Sequence, residues 1–332
     1  MKIAYLGTGA WGFCLASLLA MKGFKVISWT KNPDLAQRLN SGNEHPHLAG
    51  HKALKGMHCT TDMAEALDGA DMIVEGVTTA GLRPVFESLK KIYKPKCPIV
   101  ITSKGIEQNT SLILPEVAVD VLGEDTRRHI AFLSGPSYAQ EVVKQLPTSI
   151  VGTAFDQETM MQTCEAFTTS AFRVYPNTDI IGVAYGGALK NIIAIACGIS
   201  EGLGLGYSSK AALMTRGLHE IKKITLAKGG RAETLSGLSG MGDVCLTCGS
   251  LLSRNSRFGY LIAQGMTPKE AEVKIEMVVE GAYTCISALQ ISKQLDIPMP
   301  ITEMIYKIIY EDLKPKDAVR GLMQRTIKEE HL

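Results

Sequence analysis

The sequence predicts an α/β chain, a doubly wound and mostly parallel sheet followed by a second, all-α domain. Two observations carry this. Up to about residue 175, short β-branched runs alternate with amphipathic helical runs; from about residue 180 the strand signals vanish and helical periodicity continues. The boundary is placed there, giving domains over 1–180 and 181–332.

The candidate strands are Lys2–Gly7, Phe24–Trp29, Asp71–Val77, Pro98–Ser103, Ile130–Ser134, Thr148–Thr153 and Ala171–Tyr175. The last two read equally well as antiparallel additions. Helices are expected between them, at Ala10–Lys22, Gly81–Ile92, Thr110–Leu122 and Gln157–Thr168. In the second half, Thr267-Pro268-Lys269-Glu270 reads as a capping box with proline in the first turn. Asp296-Ile-Pro-Met-Pro300 separates two helices.

Composition narrows the function classes. The 332 residues suffice for two medium domains. A net charge of +2 gives no argument for nucleic acid or membrane surfaces. The first residues meet glycine too early for a signal peptide, and no segment is read as a membrane span. The eight cysteines are scattered through apolar runs, which suits reduced thiols in a cytoplasm.

Gly7-Thr-Gly9-Ala10-Trp11-Gly12 stands between the first strand and the first helix. The first glycine makes a tight turn, the second lets the backbone approach a pyrophosphate, and the third allows close helix–strand packing. In this context the motif is a dinucleotide fingerprint, so domain 1–180 is read as Rossmann-type; 181–332 is expected to be an all-helical substrate-binding domain. Where an acidic residue would hold an adenosine ribose, the chain reads Trp29-Thr30-Lys31-Asn32. Asp34 falls after Pro33, in an early helix position. Lys31 can meet a 2′-phosphate, so the reading favours NADP, or relaxed use of both NADP and NAD.

Gly186-Gly187-Ala-Leu-Lys190-Asn191-Ile-Ile-Ala194-Ile-Ala-Cys197 puts a lysine and an asparagine into an apolar helical run. Burying an ammonium is costly unless it is paired, which argues for function; the alternative is a lysine snorkelling to the surface. At helical spacing its neighbours are small, leaving open space above the amine for a small polar substrate. Four other polar segments have no obvious structural role. They are Thr102-Ser103-Lys104-Gly105, Ser134-Gly135-Pro-Ser137-Tyr-Ala139, Gly240-Met-Gly-Asp243-Val-Cys-Leu-Thr247 and Leu252-Ser253-Arg254-Asn255-Ser-Arg257-Phe-Gly259.

In these motifs, together with Val278-Val-Glu280-Gly-Ala-Tyr-Thr, the chain resembles the NAD(P)-dependent glycerol-3-phosphate dehydrogenases over nearly its whole length. The resemblance implies that NADP or NAD delivers hydride to dihydroxyacetone phosphate, giving sn-glycerol 3-phosphate for glycerophospholipid synthesis. It implies Lys190 as proton donor and acceptor, its pKa lowered by burial and by Lys104, and Asp243 as its partner. Asn191 is expected to orient a substrate oxygen. Lys104 would touch both substrate and cofactor. Gly135 and Ser137 would contact substrate, and Ser253, Arg254 and Asn255 would grip its phosphate. Cofactor contacts would come from Gly7, Gly9, Ala10, Trp11, Gly12, Lys31, Lys104, Ala139, Arg254, Val278 and Glu280. A homodimer through the helical half is expected.

Two departures from the family stand out: Phe13-Cys14 after the fingerprint, and Gly76-Val-Thr-Thr79 where Val-Pro-Ser is usual. The second leaves that loop's cofactor contacts open. Cys245 and Cys248 have metal-ligand spacing but no second pair, and His45, His47 and His51 read as a solvated loop, so no metal is expected. Arg254 and Arg257 would share a helix face, which suits either a surface pair or a phosphate grip. Two alternatives remain: another dehydrogenase with a helical second domain acting on a different hydroxy acid, and a sensor that binds NAD(P)H without turnover.

Overall fold

A computed structural model describes residues 1–327, 329 and 330; residues 328, 331 and 332, at the end of the expected second domain, lie outside the described residues. The chain divides into two compact units. One comprises Met1–Ser103 with Leu114–Ile180, the other Lys104–Ile113 with Ile181–Leu332.

The first unit holds ten strands: β1 (Lys2–Leu6), β2 (Lys25–Trp29), β3 (Glu44–His45), β4 (Leu48–Lys52), β5 (Met57–Thr60), β6 (Met72–Glu75), β7 (Ile99–Ile101), β8 (Ile130–Ser134), β9 (Thr148–Ala154) and β10 (Phe172–Pro176). Eight form one sheet in the order β5-β2-β1-β6-β7-β8-β9-β10. Pairing is parallel from β5 through β8. β9 then runs antiparallel to β8, and β10 parallel to β9. The last two strands are therefore additions running against the main sheet.

β1 is central and Ile3–Leu6 are fully buried, as an apolar run in a doubly covered parallel strand requires. The helix Ala10–Met21 buries every residue from Gly12 to Ala20 and joins Ile3, Tyr5, Val26, Val74 and Val100 in the core. The chain leaves β1 toward β2 on one side and returns to β6 on the other. The carboxyl ends of β1 and β6 thus flank a topological switch point, the place where such sheets bind ligands.

Three strands have no clear signal in the sequence. β3 and β4 form a tight hairpin around Pro46-His47, and β5 is a four-residue edge strand. Unlike the recognised strands, none of the three is a β-branched apolar run: their sequences are Glu-His, Leu-Ala-Gly-His-Lys and Met-His-Cys-Thr.

The second unit is helical. Its longest element, Ile180–Gly202, has 23 residues and is, by length and composition alone, the one unbroken helix among the described residues that could cross a membrane. Nearly all of it is buried inside the protein, as befits a core helix. A Cβ on Gly198 would stand 1.9 Å from the Ser256 carbonyl oxygen, and one on Gly259 would stand 2.1 Å from that of Ile195. These glycines let the helix Arg254–Ala263 lie backbone to backbone against Ile180–Gly202. The capping box is present: Thr267 caps Pro268–Ile275, with Glu270 returning to the Thr267 N–H. Asp296 closes Glu280–Leu295 in a left-handed conformation and Pro300 opens the next helix.

A single cut at 180 misassigns Lys104–Ile113. Ile106 and Ile113 bridge each other, and Ser287 on the helix Glu280–Leu295 points its hydroxyl at the Ile106 and Glu107 carbonyls, both at 3.3 Å. Left-handed Asn109 and Ser111 keep this stretch out of the following helix, which starts at Leu114 rather than Thr110.

Candidate active site

In the first unit, the turn after β1 has the geometry its glycines imply. Gly7 has φ +106°, a conformation disfavoured for any residue with a side chain. A Cβ on Gly12 would lie 2.1 Å from the Gly7 carbonyl oxygen, whereas one on Gly9 would meet nothing within 4 Å. Gly9 therefore faces open space at the start of the helix Ala10–Met21, whose N-cap bears no side-chain hydrogen bond. That is a cradle a pyrophosphate fits, with Ala10 and Trp11 supplying first-turn N–H groups.

His45 corrects the sequence reading. It is not on a solvated loop but buried in β3, its ring 4.9 Å from that of Phe13. Its Nε2 donates to the Thr8 carbonyl at 3.1 Å and its Nδ1 accepts from the His47 N–H. Burial pushes its pKa down, in keeping with this neutral tautomer. His45 thus braces the turn from below. Cys245 is exposed and Cys248 buried, and among the described residues no group of three His, Cys, Asp or Glu is arranged to hold a metal.

Lys31 is exposed beyond the end of β2, and Asn32 is occupied in capping the helix Pro33–Asn40 through Leu35 N–H at 3.1 Å. Gly135, at φ +141°, packs on Ile150, and the Ser137 hydroxyl donates to the Gly135 carbonyl at 3.2 Å. Ala139 opens the short helix Ala139–Val142.

In the second unit, a π-helical turn at Leu238–Gly242 delivers Asp243 to the start of the helix Asp243–Gly249, fully buried. Asp243 Oδ2 accepts from Lys104 Nζ at 2.7 Å, and Oδ1 accepts from Lys190 Nζ. Lys190 also donates to the Thr247 hydroxyl at 2.7 Å, one turn beyond Asp243 on the same helix. The side chain of Lys190 is only 9% exposed, so it does not snorkel. The space beside Gly186 is filled, since a Cβ there would meet the Ser239 carbonyl at 2.7 Å; that part of the sequence reading is corrected. Burial, opposed by Asp243 and aided by Lys104, brings the Lys190 pKa down to about 8. Burial works to raise the Asp243 carboxyl, but Lys104 and Lys190 outweigh it and hold it below its usual value. Two ammonium groups around one carboxylate leave the cluster net positive.

Asn191 and Asn255 are buried and bonded together, Asn255 Nδ2 donating to Asn191 Oδ1 at 3.0 Å, while Asn255 Oδ1 accepts the Gly281 N–H at 2.9 Å. Ser253 caps the helix Arg254–Ala263. Arg254 is exposed, reaches the Val278 carbonyl at 3.1 Å and feels the charge of Glu280, which starts the next helix. Of the three residues assigned to a phosphate grip, Arg254 is the one at the surface. Thr247, which the sequence places in the same polar segment as Asp243, is here a direct partner of Lys190; its position four residues after Asp243 puts both on one helix face.

Family models describing the NAD-dependent glycerol-3-phosphate dehydrogenase N-terminus and C-terminus match residues 2–160 and 179–320. The chain belongs to the NAD-dependent glycerol-3-phosphate dehydrogenase family. It is 64% identical over 331 residues to the glycerol-3-phosphate dehydrogenase [NAD(P)+] of Protochlamydia amoebophila, covering 100% of this chain and 99% of the relative. The Chlamydia abortus enzyme of the same name is 54% identical with the same coverage. Among solved structures, glycerol-3-phosphate dehydrogenase from Coxiella burnetii is similar with a TM-score of 0.93 at 36% identity, over 98% of this chain and 99% of that one. The C-terminal match begins just before the helix that carries Lys190 and includes it.

Proposed function

We propose that Lys190 supplies the proton when dihydroxyacetone phosphate is reduced to glycerol 3-phosphate, the reaction carried by this family. The chain is an oxidoreductase that uses NAD or NADP. The observation that carries the role of Lys190 is its burial against Asp243, Thr247 and Lys104. Bound reduced nicotinamide supplies the hydride.

Gly7, Gly9, Ala10, Trp11 and Gly12 hold the cofactor pyrophosphate, and Lys31 the ribose, favouring NADP. Lys104, Ala139, Arg254, Val278 and Glu280 complete the cofactor contacts. Arg254 takes the substrate phosphate with a charge-assisted fork, aided by Ser253 and Asn255, while Gly135 and Ser137 contact the substrate backbone. Asn191, held by Asn255, orients the carbonyl oxygen. As the alkoxide forms, Lys190 gives it a proton. Asp243 orients the amine by fixing one donor while Thr247 takes another. Lys104 favours proton release, since a second cation nearby opposes the charged form. The net positive cluster also stabilises negative charge developing on oxygen.

A homodimer through the helical unit extends this reading, supported by exposed Leu205 and Tyr207. A cytoplasmic setting suits eight unbridged cysteines, and the product suits glycerophospholipid synthesis. The function is tested by following NADH and NADPH oxidation with dihydroxyacetone phosphate. Turnover is expected with the phosphorylated ketone and far less with dihydroxyacetone or 2-keto acids. Turnover confined to a 2-keto acid would overturn the substrate, and binding without turnover of any of them would make the protein a sensor.

A further inference from the structure

The mechanism leaves one buried carboxyl close to the cofactor turn unused. Glu75 ends β6, an otherwise apolar strand, and is 0% exposed. A carboxyl buried in a sheet core costs stability unless it is satisfied, so its presence asks for a reason. Its Oε1 accepts the Val77 N–H at 2.6 Å and the Ser103 hydroxyl at 2.8 Å, while Oε2 has no hydrogen-bond partner. The Ser103 hydroxyl also contacts the Val77 carbonyl. Thr102 donates its N–H at 3.0 Å and its hydroxyl at 2.7 Å to the Glu75 carbonyl, and Gly76 N–H donates to Leu6 at 2.9 Å. The stretch held in this way is what the first glycine of the turn packs on: a Cβ on Gly7 would meet the Gly76 oxygen at 2.7 Å and Val77 Cγ1 at 2.8 Å.

We propose that Glu75 is a positioning residue for NAD(P)(H): its side chain holds the Gly76–Val77 backbone against Gly7, so that cofactor affinity depends on the charge of a carboxyl that acts only through the backbone. The proposal rests on the reading of Gly7–Gly12 as the cofactor turn. It also gives a role to the loop that departs from the family pattern.

The charge state matters because an ionised Oε1 accepts both bonds with charge assistance, and a protonated carboxyl accepts them more weakly. Burial raises the Glu75 pKa to about 7, against the pull of the Ser103 and Val77 bonds. The titratable groups facing it are Tyr5 on β1, which feels its charge, and Cys14 on the first helix beyond Tyr5. Burial pushes Cys14 up to about 12 and Tyr5 well above its ordinary value, so both stay neutral. Thr102 and Ser103, after β7, carry no charge. No cation pairs with Glu75 among the described residues. The carboxyl therefore changes charge near neutrality on its own.

The test is equilibrium binding of NADH to the full chain, followed by nicotinamide fluorescence from pH 6.5 to 8.5, in the parent and in Glu75→Gln. NADH is used because it lacks a 2′-phosphate that would titrate near pH 6. His45, pushed down by burial, titrates below this window. Lys190 titrates in both proteins, so the difference between the two profiles reports Glu75. The parent is expected to bind roughly three- to tenfold more tightly as pH rises through about 7. Glu75→Gln, which keeps an acceptor oxygen but no charge, is expected to bind as the parent does at low pH and to lack that step. A variant with the parental profile overturns the proposal, and a lowered Tm with that profile makes Glu75 a stabiliser only. A parent that binds neither NADH nor NADPH overturns the function proposed above as well.

Discussion

Lys190 and Asp243 form an ion pair shut off from solvent, their side chains 9% and 0% exposed. A buried pair of this kind seldom adds stability over an apolar replacement, and losing one partner is costly because the other charge is stranded. Here the carboxylate is shared with Lys104, so two cations depend on one anion. The arrangement sets a proton affinity rather than strengthening the core.

The first consequence is a pH limb. Burial lowers Lys190 to about 8, so the amine is mostly protonated at pH 7 and mostly neutral at pH 9. Ketone reduction needs the proton, and kcat/KM for dihydroxyacetone phosphate should fall as pH rises through about 8. Oxidation of glycerol 3-phosphate needs the free amine and should rise through the same range. Asp243→Asn removes an influence that raises the Lys190 pKa, so the limb should move to lower pH, with a stability loss of up to roughly 3–5 kcal/mol. Profiles measured with NADH in both directions check this; a limb that does not move on Asp243→Asn separates the two residues.

Stability should also depend on Glu220. This buried carboxyl accepts from Ile301 N–H at 2.6 Å and from the Thr302 N–H and hydroxyl, at the start of the helix Pro300–Tyr310. Burial raises its pKa from 4.5 to about 7. The unfolded chain therefore loses this proton first, and the group's contribution to folding, full below pH 4.5, is lost as pH rises through about 7. Tm should fall between pH 5 and pH 8, and fall less in Glu220→Gln. Parallel melting curves for parent and variant would remove Glu220 from the pH dependence.

Arg254→Ala should act on substrate affinity. A guanidinium that binds a phosphate contributes roughly 1.5–3 kcal/mol through charge-assisted bonds, or about 10- to 100-fold in KM. The parent's weak turnover of unphosphorylated dihydroxyacetone should be unchanged by the substitution. An unchanged KM for dihydroxyacetone phosphate would put the grip elsewhere.

Lys31→Glu should reverse cofactor preference. The lysine is exposed beyond β2, where an adenosine ribose lies in such folds, and screening limits its gain on a 2′-phosphate to about 1 kcal/mol. The parent is expected to bind NADPH at least as well as NADH, the preference narrowing with salt. The substitution should weaken NADPH selectively. Unchanged KM values for both cofactors would show that Lys31 points away from the ribose.

Much of the fold was legible because its signals are local. The parallel strands other than β5 are recognisable as β-branched, apolar runs, and the glycine turn, the Thr267 capping box and the break at Asp296–Pro300 each follow from a few adjacent residues. Lys190 was legible because an ammonium in an apolar helix is a conflict within one segment. What escaped depends on distant partners. His45 looked solvated because its neighbours are glycine, proline and histidine, and only the β3–β4 hairpin buries it beneath Thr8. The sequence offered Asn255 only as a phosphate contact, and gave no sign that its amide also joins Asn191 to Gly281 across three helices. Lys104–Ile113 follows a strand in sequence but is tied to Ser287, more than 170 residues away.

The most direct test of the central claim is the turnover number of Lys190→Ala with saturating dihydroxyacetone phosphate and NADH. Alanine favours the helix and Asp243 keeps Lys104 as a partner, so the fold should survive at some cost in stability and NADH should still bind. If Lys190 supplies the proton, kcat should fall at least ~100-fold. A folded Lys190→Ala protein with near-parental turnover would contradict the account.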